Sequence, residues 1–109
     1  LIATIDLGSV EKINFVETRF LQSQVFWIFL PKKIQIEHSI DGKNFHLLYE
    51  VNPENDYSFE QKIFKYSIKP LNVKSRFIRL RATNLNKCPE YHPGSGGKSW
   101  FFTDEIIIN

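Results

Sequence analysis

Along most of the chain, apolar and polar positions alternate with the period of two that marks a half-buried strand. Leu1, Ala3, Ile5 and Leu7 share one face of an opening strand that should stop at Gly8-Ser9. Ile13–Phe20 forms a second strand whose mixed pattern implies burial on both sides over part of its length. The period then breaks through Phe20–Trp27, with polar Gln22, Ser23 and Gln24 at its middle, which reads as a connection ending in aromatics. After Pro31, Lys33, Gln35 and Glu37 alternate with Ile34, Ile36 and His38, the pattern of an antiparallel strand with one wet face. Asp41-Gly42 within Ser39–Asn44 is a tight-turn signal.

His46–Val51 should be the next strand, with Leu47, Tyr49 and Val51 on one face. Asn52–Ser58 is polar, contains Pro53 and reads as an exposed loop. Phe64, Tyr66 and Ile68 mark a further strand ended by Pro70. In Arg76–Ala82, Ile78, Leu80 and Ala82 face inward while Phe77, Arg79 and Arg81 face the other way, and Thr103–Ile108 closes the chain as a strand. No segment sustains a helical period. Short strands separated by turn signals predict an all-β, antiparallel jelly-roll β-sandwich. Its core should include Ile5, Leu7, Ile34, Ile36, Leu47, Ile78, Leu80 and Ile106.

Before the last strand, Cys88–Glu105 is the longest run without alternation and holds three of the five glycines. Pro89 and Pro93 restrict the backbone and remove two donors, so this is a shaped loop. Tyr91, His92, Lys98 and Trp100 sit in it, large polar-tipped side chains that a solvated loop has no packing reason to carry. It is expected to form one wall of a ligand site.

The 109 residues suit one domain with a single core. Aromatics reach 15%, with ten Phe and no Met, which fits a rigid β interior. A net charge of +2, with basic residues scattered, gives no footprint for nucleic acid or an anionic membrane. No run approaches the ~20 apolar residues of a membrane-spanning helix. The single cysteine excludes an internal disulfide. The chain begins at Leu1, already in a strand pattern, and is read as a piece of a longer protein cut close to a domain's first visible strand.

Each candidate site residue has an ordinary alternative. Trp27 and Trp100 could stack on the apolar C–H face of a sugar ring or simply pack in the core. Tyr91 and His92, between two prolines, could line a site or shape a surface turn. Arg19 and Gln22 flank the first connection and could donate to hydroxyls, or be only solvated. Arg79 and Arg81 read as a solvent-facing ladder, and His38 and His46 as edge histidines within strands. Cys88 with His92 raises the idea of a thiol nucleophile or half a metal site. No second Cys/His pair completes a zinc tetrahedron, and no helix N-terminus is there to lower the thiol pKa. Asp104-Glu105 are neighbours on a strand and should point to opposite faces, so they do not form a glycosidase acid/base pair.

Ile5-Asp-Leu-Gly8, Ile34-Gln-Ile-Glu-His-Ser39, Asp41-Gly-Lys-Asn-Phe45 and Arg76-Phe-Ile-Arg-Leu80, in that order, resemble the discoidin-like, or coagulation factor type C, domains. Phe20-Leu-Gln22, Trp27-Ile-Phe-Leu-Pro31, Cys88-Pro-Glu90, His92-Pro-Gly94 and Asp104-Glu-Ile106 narrow the likeness. With them the chain resembles the C-terminal module of Bacteroides-type β-N-acetylhexosaminidases, or chitobiases. The resemblance covers nearly the whole chain and implies a jelly roll that binds ligands in loops at one end. Such domains normally begin with a further stretch, absent here, that borders the site beside a structural calcium. Glu105 matches the final-strand acid that can help hold that ion.

The function this implies is a non-catalytic carbohydrate-binding module of an exported glycoside hydrolase, periplasmic or at the cell surface. Its partners would be an N-acetylhexosamine- or galactose-type glycan and the catalytic domain of the same polypeptide. Trp27, Tyr91, His92, Trp100, Arg19, Gln22 and Lys98 are the expected ligand-binding residues. The alternative is a structural docking domain that packs on its catalytic neighbour without a ligand of its own. Exposure of Trp27 and Trp100 at one end would favour the first, and a contiguous apolar patch on a face the second.

Overall fold

Seven strands account for the alternation. In the computed structural model, which describes residues 1–68 and 72–109, these are β1 (Ile2–Ile13), β2 (Val16–Gln22), β3 (Lys33–Ser39), β4 (His46–Val51), β5 (Lys62–Ile68), β6 (Val73–Thr83) and β7 (Phe102–Ile108). The expectation that Pro70 ends β5 lies outside the described residues. The strands form two antiparallel sheets, one ordered β1-β6-β3-β4 and the other β5-β2-β7. No α-helix occurs among the described residues; a single 3-10 turn spans Gln24–Phe26. This is the all-β sandwich that the pattern predicts.

The inner faces meet in one core. Val16 and Phe20 of β2 pack with Ile34 and Ile36 of β3 and Ile78, Leu80 and Ala82 of β6. Each fully buried aliphatic or aromatic side chain contributes about 1.5–3 kcal/mol through loss of its contact with water. Leu7 and Ile106 lie partly buried against this cluster, and Ile5 is half-buried as the partner of Ile78. Antiparallel order sends the β2–β3, β4–β5 and β6–β7 connections to one end of the sandwich and the β1–β2 and β3–β4 connections to the other.

Three register irregularities account for departures from simple alternation. Leu47, expected in the core, is 55% exposed. Ile36 pairs with Tyr49 but Glu37 pairs with Leu47, so Leu48 is an extra residue and the bulge turns Leu47 to the outer face. The opening strand does not stop at Gly8-Ser9. Its pairing with β6 slips between Asp6 and Glu11, where Gly8 takes a φ of 86°, and the strand then resumes as far as buried Ile13. The third irregularity falls in β7 opposite Arg19 and is described with the site.

The Asp41-Gly-Lys-Asn-Phe45 motif proves to be a locking device. The Asp41 carboxylate accepts hydrogen bonds from the backbone N–H groups of Lys43 and Asn44, each 2.8 Å, and from the Asn44 amide and Ser39 hydroxyl. These bonds, the backbone ones first, hold its carboxyl far below the usual range. The turn lays Phe45 beneath the Arg79 guanidinium, 3.7 Å from the ring centroid. Arg79 and Arg81 are therefore not a free ladder. Both donate to Glu37, at 3.0 and 2.7 Å, on the outer face of the four-stranded sheet. Hydrogen bonding from Arg79 is the main reason the Glu37 carboxyl is lowered.

Ile36→Ala should cost about 2–5 kcal/mol in urea unfolding, as a buried side chain leaves a cavity. Leu47→Thr should stay within about 0.5 kcal/mol. Equal losses would put Leu47 back in the core.

Candidate functional site

The loop end is built around an imidazole. His92 is 4% exposed, and both its ring nitrogens are engaged. Its Nδ1 accepts a bond of 2.9 Å from the Gly94 N–H, which leaves Nε2 to carry the proton and donate at 2.7 Å to the Gln24 carbonyl. One side chain thus ties the β6–β7 loop to the β2–β3 loop. Phe59, from the β4–β5 loop, stacks on the same imidazole at 5.5 Å, and Trp27 and Phe29 meet it edge-on at 6.0 and 5.1 Å. All three loops converge on it.

A second knot lies at Asp56. Its Oδ1 accepts from the Gln22 amide at 2.5 Å and the Ser58 N–H at 3.0 Å, and its Oδ2 accepts from the Lys62 ammonium at 2.8 Å. Its backbone carbonyl accepts from the Gln24 amide at 2.6 Å and the Tyr91 hydroxyl at 3.2 Å. Nearby, Asn55 Oδ1 accepts from the Leu30 N–H at 2.7 Å. Asn52–Ser58 is the loop its polarity predicts, with Asn52, Glu54 and Tyr57 exposed, but it is anchored at Asn55 and Asp56.

Trp27 ends the 3-10 turn with φ 62°, an uncommon conformation for a non-glycine residue. Its indole lies over Gly94 and Gly97; a Cβ at either position would come within 2.6 Å of the ring. The two glycines are therefore a floor that only a missing side chain provides. Trp27 remains 39% exposed, and Tyr57, Phe59 and Tyr91 are also exposed, the two tyrosines meeting edge to face at 4.6 Å. These rings form an aromatic rim around buried His92.

The expected residues separate into three groups. Trp27 and Tyr91 are on this rim. His92 and Gln22 are beneath it, buried, with their polar atoms in internal hydrogen bonds. Trp100, Lys98 and Arg19 belong elsewhere. Trp100 bridges to the β2–β3 loop through its backbone, but it does not join the Trp27 platform. Phe101 between them turns inward, so Trp100 and Phe102 both project outward from the three-stranded sheet, with Lys98 Nζ 4.3 Å from the Trp100 ring centroid. Arg19 sits in mid-strand on that same outer face.

There, the β7 irregularity sets Asp104 and Glu105 against one guanidinium. Arg19 donates to both Asp104 carboxylate oxygens and lies 3.4 Å from Glu105 Oε1. The two carboxylates do not diverge as simple alternation requires, yet they form no acid/base pair, since both face a permanent cation. Calcium demands six to eight oxygen ligands. Glu105 has a guanidinium beside it, and among the described residues no group of three or more His, Cys, Asp or Glu converges. The Glu105 carboxylate already faces the Arg19 guanidinium.

Cys88 is buried, and burial pushes its thiol up, the opposite of what a nucleophile needs. Its backbone instead pins the loop, with its N–H donating to the Gly97 carbonyl at 2.8 Å. No helix among the described residues is long and apolar enough to cross a membrane.

The loop end of this sandwich thus presents exposed rings over a buried, internally bonded imidazole. The family model of the F5/8 type C domain matches residues 3–100, and the chain belongs to that family. Such domains are generally non-catalytic and often bind glycans or other ligands. No curated protein matches the chain.

The Asp56 knot should respond to acid. Hydrogen bonding to Lys62 first, then to Gln22 and the Ser58 N–H, lowers its carboxyl from 3.8 to about 2. A lowered folded value means that the tie is fully present above about pH 4 and is lost as the pH falls through about 2. The Ser58 amide resonance should titrate with a midpoint near 2 and lose that step in Asp56→Asn. A midpoint near 4 would show that the carboxylate is not held.

Proposed function

We propose that this chain is a non-catalytic carbohydrate-binding module that takes sugar at the loop end and tethers a larger exported glycoside hydrolase of the β-N-acetylhexosaminidase type to its glycan. The observation that carries this reading is the rim of Trp27, Tyr57, Phe59 and Tyr91 held around His92. A sugar offers an apolar C–H face to such rings, and rings fixed before binding lose little entropy on contact. Family membership supports a binding role, and the likeness to chitobiase modules supports N-acetylhexosamine or galactose as the sugar.

A second reading has its own observation. Ile63, Leu21 and Phe102 are direct cross-strand partners, so they make one apolar row across all three strands of the smaller sheet. They line a depression of about 190 Å³ with Gln61 and Asp104, and Trp100, two residues before Phe102 in the chain, is exposed as well. This is the contiguous face that a docking domain needs against a catalytic neighbour.

Calorimetric titration separates the two. N-acetylglucosamine, N-acetylgalactosamine and galactose oligomers should bind in the ~10 µM to mM range. Trp27→Ala and Tyr91→Ala should abolish measurable binding in a folded protein, while Trp100→Ala retains it. Loss with Trp100→Ala alone would move the site to the sheet face. No binding to any of these sugars would leave docking as the function.

A further inference from the structure

The end of the sandwich opposite the aromatic rim carries two histidines that the binding reading does not use. His38 of β3 and His46 of β4 are direct cross-strand partners, with ring centroids 5.8 Å apart. Both line one depression of about 220 Å³ beneath the β3–β4 turn, together with Asp41 and Asn44. His46 is exposed and His38 half-buried. The only other histidine is internally bonded His92, and the only cysteine is buried, so this is the one place where two imidazoles meet.

From this geometry we infer a two-imidazole chelate site for a divalent transition metal, with water completing the coordination. Neutral imidazole suits Zn²⁺, Ni²⁺ and Cu²⁺. With metal–nitrogen bonds of about 2.0–2.1 Å, two rings sharing one ion have centroids roughly 4.5–5.3 Å apart. The observed spacing of 5.8 Å is roughly 0.5–1.3 Å wider than that, a gap that side-chain rotation of exposed His46 closes. His38 is already oriented, because its Nδ1 is hydrogen-bonded to the hydroxyl of buried Ser75. A hydroxyl can accept from an Nδ1–H, which leaves the Nε2 lone pair free for the ion. This is the outer-shell arrangement that fixes a ligating histidine. The Asp41 carboxylate is occupied by turn hydrogen bonds. It contributes nearby negative charge, not a ligand.

The pair also bridges two adjacent strands, so a bound ion would clamp β4, an edge strand, onto β3. Binding to the folded form alone raises the unfolding temperature as the metal concentration rises. The test is calorimetric titration of untagged protein with Zn²⁺ and with Ni²⁺, together with thermal unfolding at increasing metal.

One ion per chain is expected to bind in the micromolar range and to raise Tm. His46→Gln, at an exposed position, should weaken binding at least about tenfold and remove the Tm rise, and Ser75→Ala should weaken it by a smaller factor. A separate His38→Gln variant should behave like His46→Gln. Binding unchanged in His46→Gln, or no binding at millimolar metal, would overturn the site. Calcium or magnesium binding with equal affinity would overturn the imidazole assignment.

Discussion

Three long connections with few regular elements converge at one end of this sandwich, and the two hydrogen bonds of buried His92 give them a common anchor. Glycine and proline shape the 84–101 loop, but neither fixes where it lies relative to its neighbours. The bonds from Gly94 and to the Gln24 carbonyl do. A buried imidazole with both nitrogens satisfied is stable in place, whereas one left unpaired would be costly. Asp56 performs the same service for the 52–61 loop, and the rings of Phe59, Trp27 and Phe29 close over the joint. The exposed faces that remain are there because the hidden ones are fixed, and that preorganisation makes weak stacking contacts useful for recognition.

The two outer faces of the sandwich are finished differently. On the larger sheet, the Ser39–Phe45 turn folds outward and Arg79, Arg81 and Glu37 cover the strands with paired charge. On the smaller sheet, the Arg19–Asp104–Glu105 cluster occupies the middle, but the row beside it is apolar and exposed. One face is closed by its own chain and the other is left open. The Ser-Ile-Asp-Gly-Lys-Asn-Phe motif serves the closed face and has no part at the rim.

Strand identity and the main core positions were legible because period-two alternation follows directly from the pleat. Ile34, Ile36, Ile78 and Leu80 are buried as read. Leu47 was misplaced because one extra residue, Leu48, reverses the faces beyond it, and nothing in the local composition announces a bulge. Asp104 and Glu105 share a face against simple alternation for the same reason, a register shift opposite Arg19. At the loop end, Trp27 and Tyr91 could be picked out as large rings in irregular segments. Asp56, Tyr57 and Phe59 were missed because polarity and a proline mark a loop without saying what it is tied to. His92 was noticed for its chemistry, yet its role is set by partners 2 and 68 residues away in sequence.

If His92 is the anchor of the loop end, its tautomer is dictated by its partners, since Nδ1 faces a donor and Nε2 faces a carbonyl. A long-range proton–nitrogen correlation spectrum of the folded protein reads this directly. His92 should show a protonated Nε2 with a slowly exchanging proton and an unprotonated Nδ1. A protonated Nδ1, or rapid averaging of the two nitrogens, would contradict it and leave the three loops without their common tie.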